Sequence, residues 1–130
     1  MVVADLSAMA NAGADRRKAG GVEPPPHPND LDRRRLARAL VRRHRYRYVT
    51  PRVLREGDSL RVTSPNCSRN IDADGGVIDI ALLRYAAGER LWRLHYRDHA
   101  AARWCCGRES NDLDALLEEL IRDPQRCYWP

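Results

Sequence analysis

Apolar residues recur at a helical period in two stretches of this chain and alternate singly between them. The first helical stretch follows Asn29-Asp30. Either residue can cap a helix start, Asp30 and Asp32 suit the positive end of the helix dipole, and neither Gly nor Pro interrupts the segment to about Arg43. At about 100° per residue, Leu36, Ala37, Leu40 and His44 fall on one side with Val41 at its edge. Arg34, Arg35, Arg38, Arg42 and Arg45 gather on the other. The second stretch opens at Ser110, Asn111 or Asp112, carries Leu113, Leu116, Leu117, Leu120 and Ile121 on one stripe, and is stopped by Pro124.

Between the helices the period falls to two. Residues 46–62 read as a hairpin in which Arg55-Glu56-Gly57-Asp58 joins Val53-Leu54 to Leu60-Val62, and Pro51 assigns the first strand to an edge or a bulge. Residues 63–76 are polar and turn-rich, a surface loop. Residues 77–85 are apolar on both parities (Ile78, Ile80 and Leu82; Ala81, Leu83 and Tyr85), as expected of a central strand or one covered on both sides. Residues 91–97 alternate strictly, Trp92, Leu94 and Tyr96 against Arg93, His95 and Arg97. Residues 102–106 form a last strand with Trp104 and Cys106 on one face.

The pattern predicts an α+β fold: an N-terminal helix, an antiparallel sheet of four to five strands, and a C-terminal amphipathic helix packed on the sheet. Leu36, Leu40, Leu82, Trp92, Leu94, Trp104, Leu116, Leu117 and Leu120 are the expected core. At 130 residues there is room for one such domain. Residues 1–28 have no apolar period, balanced charges and a Pro24-Pro25-Pro26-His27-Pro28 ending, which predicts a disordered tail with a proline-rich spacer before a domain at 29–130.

The block from Ile80 onwards resembles a small bacterial family known as domain of unknown function 3024. The residues that carry the resemblance are Ile80-Ala81-Leu82-Leu83-Arg84-Tyr85, Leu91-Trp92-Arg93-Leu94-His95-Tyr96-Arg97-Asp98, Trp104, the leucine-rich helix, and Arg122-Asp123-Pro124 leading to Tyr128-Trp129. The match is clearest over the C-terminal two-fifths, and the first helix and hairpin agree in layout. Cys105-Cys106 and the long N-terminal segment depart from the family's pattern. The resemblance implies a compact α+β unit and no particular activity.

Candidate chemistry is sparse. His95 and His99 are four apart, but on an extended strand that spacing is roughly 13 Å, too long for one zinc unless the turn folds back. Cys105 and Cys106 point to opposite faces of a strand, and no Cys-x-x-Cys pair completes a site with Cys127. Asn70-x-Asp72-x-Asp74-Gly75 opens like a calcium loop, but Ala81 stands where the closing Glu belongs. Asp98-His99 is the one acid and base pair beside a turn, and no glycine-rich phosphate loop precedes a helix. A non-enzymatic module without a metal or cofactor is the expectation. The four cysteines show no framework spacing, no secretory leader pattern opens the chain, and no apolar run reaches a membrane span, which predicts a soluble protein of the cytoplasm.

Charge changes the picture more than chemistry does. Of 23 basic residues only Lys18 is a lysine. Residues 29–55 hold ten arginines against two aspartates, a balance of +8 in a chain whose total is +5. Residues 110–130 hold five acids against two arginines, or −3. A cationic helix flanked by Tyr46 and Tyr48 can track phosphates and stack bases, which makes Arg34, Arg35, Arg38, Arg42, Arg45, Tyr46 and Tyr48 a candidate nucleic-acid surface. The alternative is a protein-interaction or self-association module that docks this face on an acidic surface, such as the acidic helix of a second copy. A membrane surface fits poorly, because Ala37 and His44 are not bulky anchors. A merely solvated arginine face accounts for the same residues.

Overall fold

The computed structural model describes residues 25–66, 71 and 75–130. The expected tail up to residue 24, Cys67 and the calcium-like Asn70, Asp72 and Asp74 lie outside the described residues. The chain runs α1 (Asp30–Leu40), β1 (Arg52–Glu56), β2 (Ser59–Pro65), β3 (Val77–Ala86), β4 (Leu91–Asp98), β5 (Arg103–Ser110) and α2 (Leu113–Arg122). The five strands form one antiparallel sheet in chain order, which is the α+β arrangement expected.

Helix α1 begins with a reciprocal capping box. The Asn29 side chain accepts from the Asp32 amide at 3.0 Å, and the Asp32 carboxylate accepts from the Asn29 amide at 2.9 Å. The same carboxylate lies 2.5 Å from His27 Nδ1, and the His27 ring packs edge-on against Tyr85 and Trp92. Pro28 is fully buried and the Asn29 amide group donates to the Pro25 carbonyl. The proline-rich segment just ahead of Asn29 thus supplies the outer partners of the cap. The helix ends at Leu40 rather than near Arg43. The Arg43 guanidinium donates to the Leu40, Tyr46 and Val49 carbonyls, Tyr46 takes a left-handed backbone at φ 59°, and the chain turns away from the helix axis.

The β1–β2 hairpin closes at Glu56↔Ser59 around Gly57-Asp58, with Gly57 at φ 56° supplying the conformation that other residues resist. Pro51 stands just before the edge strand, where its missing amide interrupts no ladder. A bulge explains why β3 is apolar on both parities. Val62 pairs with Ala81 and Thr63 with Asp79, so Ile80 is the extra residue and the inward parity switches there. Ile78, Ile80, Ala81 and Leu83 thus all join the core.

The core unites the apolar sides of both helices with one face of the sheet: Leu36 and Leu40, Leu60 and Val62, Leu83, Trp92 and Leu94, and the whole leucine stripe of α2. Leu82 and Trp104 depart from expectation. Leu82 is buried, but it pairs with Arg61 and His95 on the opposite face. Trp104 pairs with Arg97 on that same face and is only half-buried, with the Arg97 guanidinium 5.1 Å from its ring centre. The phase of β5 follows the charged side of β4, so its aromatic residue cannot reach the core.

The core place expected of Trp104 is taken by the C-terminal segment. Tyr128 and Trp129 are buried, and Trp129 is fully so. After α2, Asp123 adopts φ 43° and turns its buried carboxylate onto the amides of Cys127, Tyr128 and Trp129 at 2.7 to 3.2 Å. The Trp129 indole donates to the Leu120 carbonyl at 2.9 Å. A second bulge lies at Gly107, where the hydroxyl end of Tyr128 approaches β5 closely. A Cβ at Gly107 would collide with the Tyr128 hydroxyl and press on Tyr96 Cδ1 at 3.3 Å. Gly107→Ala is therefore expected to destabilise the fold by about 1–3 kcal/mol. In a Tyr128→Phe background, which removes the nearest atom, the penalty should shrink by at least about 0.5 kcal/mol in urea denaturation.

Candidate functional site

The cationic face of α1 divides in three. Arg35 and Arg42 lean towards α2, where Arg35 meets Asp114 at 2.7 Å and Arg42 meets Glu118 at 3.1 Å. Beyond the helix, Arg45 donates to the Asp123 carbonyl at 2.6 Å and lies 3.7 Å from its carboxylate. The acidic stripe of α2 thus faces arginines of its own chain. Arg34 points outwards and is bridged to Asp30 at 3.0 Å, an exposed pair one helical turn apart. Arg38 points outwards as well, and its guanidinium meets no carboxylate among the described residues.

The two candidate tyrosines separate. Tyr46 is turned into the core, its ring 5.5 Å from Trp129 and its hydroxyl donating to the Pro130 carbonyl at 2.9 Å, so it presents no ring to a ligand. Tyr48 is 99% exposed. Among the described residues no apolar neighbour covers it.

On its third side α1 faces the edge strand β1. Here a cavity of about 450 Å³ opens between Arg33, Ala37, Leu40 and Val41 of α1, Arg43, Arg47, Val49, Thr50 and Pro51 of the connecting loop, and Val53 of β1. Among the described residues its wall includes three arginines and no carboxylate. Arg43 is buried and bound to main-chain carbonyls with its guanidinium 5.8 Å from the Trp129 ring centre, so it braces the wall. Arg33 pairs with Asp30 at 3.1 Å, and the exposed Arg47 guanidinium meets no carboxylate among the described residues. The alternation of apolar and polar residues gave no hint of this cavity. It arises from where α1 stops and how the loop 43–51 returns to the sheet edge.

The uncovered face of the sheet is also rich in arginine, but its charges are matched. Arg61 bridges Asp79 at 2.6 Å and Glu56 at 2.8 Å, and Arg93 bridges Glu109 at 2.6 Å and Glu89 at 2.5 Å. His95 sits at the middle of this face between Leu82 and Cys106. Burial, with Arg84 and Arg93 beside it, lowers its pKa and favours the neutral ring. Burial and Arg97 act likewise on His99. Cys105 and Cys106 point to opposite faces, and among the described residues no group of three or more His, Cys, Asp or Glu could hold a metal ion. Among the same residues no helix is long and apolar enough to cross a membrane.

These elements define a small α+β domain, a five-stranded antiparallel meander with both helices joined to one core. The sequence pattern of the family described as Domain of unknown function (DUF3024) matches residues 24–130, and the chain belongs to that family. The match extends well beyond the C-terminal two-fifths and begins at the proline-rich segment that packs beside α1. No curated protein and no solved structure matches the chain.

The unequal pairing of the arginines predicts unequal effects on stability. Replacing Arg38 or Arg47 by Glu should change the unfolding free energy by no more than about 0.5 kcal/mol. Replacing Arg35 and Arg42 together by Glu, which sets acids against Asp114 and Glu118, should cost about 1 kcal/mol or more, read by urea denaturation.

Proposed function

We propose that the protein is a non-enzymatic nucleic-acid-binding module whose contact surface is the outward side of α1 and the loop that follows it, with Arg34, Arg38, Arg47 and Tyr48 as the main contacts. The observation that carries this reading is the distribution of unmatched charge. Arg35, Arg42 and Arg45 face the acids of α2 and its C-terminal turn, whereas Arg38 and Arg47 are exposed guanidinium groups with no carboxylate opposite them among the described residues. Arg52, Arg55, Arg90 and Arg126 are likewise unmatched among those residues, but only Arg38 and Arg47 share the outward side of α1 and its following loop. An arginine left without an internal partner is available to a phosphate, which it can bind through two parallel N–H groups. Tyr48, exposed beside Arg47, supplies the flat ring on which a base can stack. Arg34 exchanges its Asp30 partner for phosphate, and Arg35 and Arg42 contribute at longer range.

Binding of this kind is driven by counterion release, so it weakens with salt. For two to four phosphate contacts the log–log slope of affinity against salt concentration should be roughly −2 to −4. Changing Arg38 and Arg47 together to Glu should reduce affinity at least tenfold and flatten the slope by about two. Retained binding after that change, or no binding at low salt, contradicts the proposal. Concentration-dependent dimers lost through the same change would replace it with self-association.

A further inference from the structure

The cavity between α1 and β1 bears on which form of nucleic acid is bound. We propose that it receives one unpaired base, so that the protein takes single strands in preference to duplex; this rests on the nucleic-acid reading above. Three features converge on it. The cavity, about 450 Å³, lies within the size range of small-ligand sites. Its apolar lining, Ala37, Leu40, Val41, Val49, Pro51 and Val53, can pack against the face of a heterocyclic ring. Its polar side chains among the described residues are Arg33, which is paired with Asp30, Arg43, which is bound to main-chain carbonyls, Arg47 and Thr50, so the phosphate attached to the base meets the exposed guanidinium of Arg47.

The surroundings fit a strand rather than a free ring. Tyr48 adjoins Arg47 and is almost wholly exposed, a stacking surface for the next base outside the cavity. Val41, also 75% exposed, extends the apolar rim along α1. Arg43, fixed to the Leu40, Tyr46 and Val49 carbonyls, holds the wall open and acts as a positioning residue. Bases of an intact duplex are stacked and paired, and entry of one would require unpairing it and flipping it out. A single strand has no pairing to break.

The test is fluorescence anisotropy with the full chain, a labelled single-stranded oligonucleotide of about twelve nucleotides and the matching duplex at the same low salt. The single strand should bind at least tenfold more tightly. Two independent cavity fillings, Ala37→Phe from the helix and Thr50→Trp from the loop, should each lower single-strand affinity about tenfold while leaving duplex affinity and its salt slope unchanged. Either variant suffices if the other fails to fold. Equal affinity for the two forms, or fillings that leave single-strand binding intact, overturns the base-pocket inference and leaves general nucleic-acid binding standing. A mononucleotide that binds as tightly as the oligonucleotide overturns it too, in favour of a nucleotide site. Absence of binding to either form overturns both readings.

Discussion

Asp123 is a carboxylate with almost no exposure to water, and the arrangement of the C-terminal segment and of the loop 43–49 follows from how that charge is satisfied. An isolated buried carboxylate would be costly, but this one accepts from three successive backbone amides, and Arg45 lies within ion-pair reach. Those bonds bend the chain after α2 back under the sheet and seat Trp129 at the centre of the core. Trp129 in turn packs against Tyr46, and the Asp123 carbonyl holds Arg45. The loop 43–49 is thereby anchored to the C-terminus, with the His44 amide bound to the Ile121 carbonyl at 3.1 Å. The wall of the α1–β1 cavity is therefore set by residues at the far end of the sequence.

The second organising constraint is charge matching in an arginine-rich chain. Exposed ion pairs each contribute little stability, typically 0–1 kcal/mol. Their larger consequence is to remove most arginines from the pool available to a partner. Across the α1–α2 contact and over the open sheet face, acids stand opposite nearly every guanidinium. Along the outer side of α1 and the loop beyond it Arg34 is paired with Asp30, whereas Arg38 and Arg47 meet no acid among the described residues. The charge open to a partner is therefore much smaller than the balance of +8 over residues 29–55.

The elements themselves were legible because their periods are clean. The strict alternation of β4 and the leucine stripe of α2 correctly assigned Trp92, Leu94, Leu116, Leu117 and Leu120 to the core. Three features were not legible, each because it depends on contacts distant in sequence. A bulge at Ile80 reversed the parity of β3, which on paper looked like a strand covered on both sides. Trp104 follows its register partner Arg97 to the open face, where an arginine rather than the core covers its ring. Tyr46 reads as a surface aromatic beside a cationic helix, yet its left-handed backbone swings it onto Trp129. Of the candidate surface, the arginine stripe was visible from a helical wheel; which of its members face α2 depended on the docking of two helices far apart in the chain.

On the proposed reading, Arg38, Arg47 and the α1–β1 cavity form a single binding surface away from the open sheet face. Amide chemical-shift mapping of the isotope-labelled protein, titrated with a short single-stranded oligonucleotide, tests this directly. The account predicts the largest shifts at Arg38, Val41, Arg47, Tyr48, Thr50 and Val53, with Arg61, Arg84, Arg93 and Arg97 nearly unmoved. Shifts concentrated instead around Arg93, Arg97 and Trp104 would contradict it, because the charges matched within the sheet would then be the ones a ligand recruits.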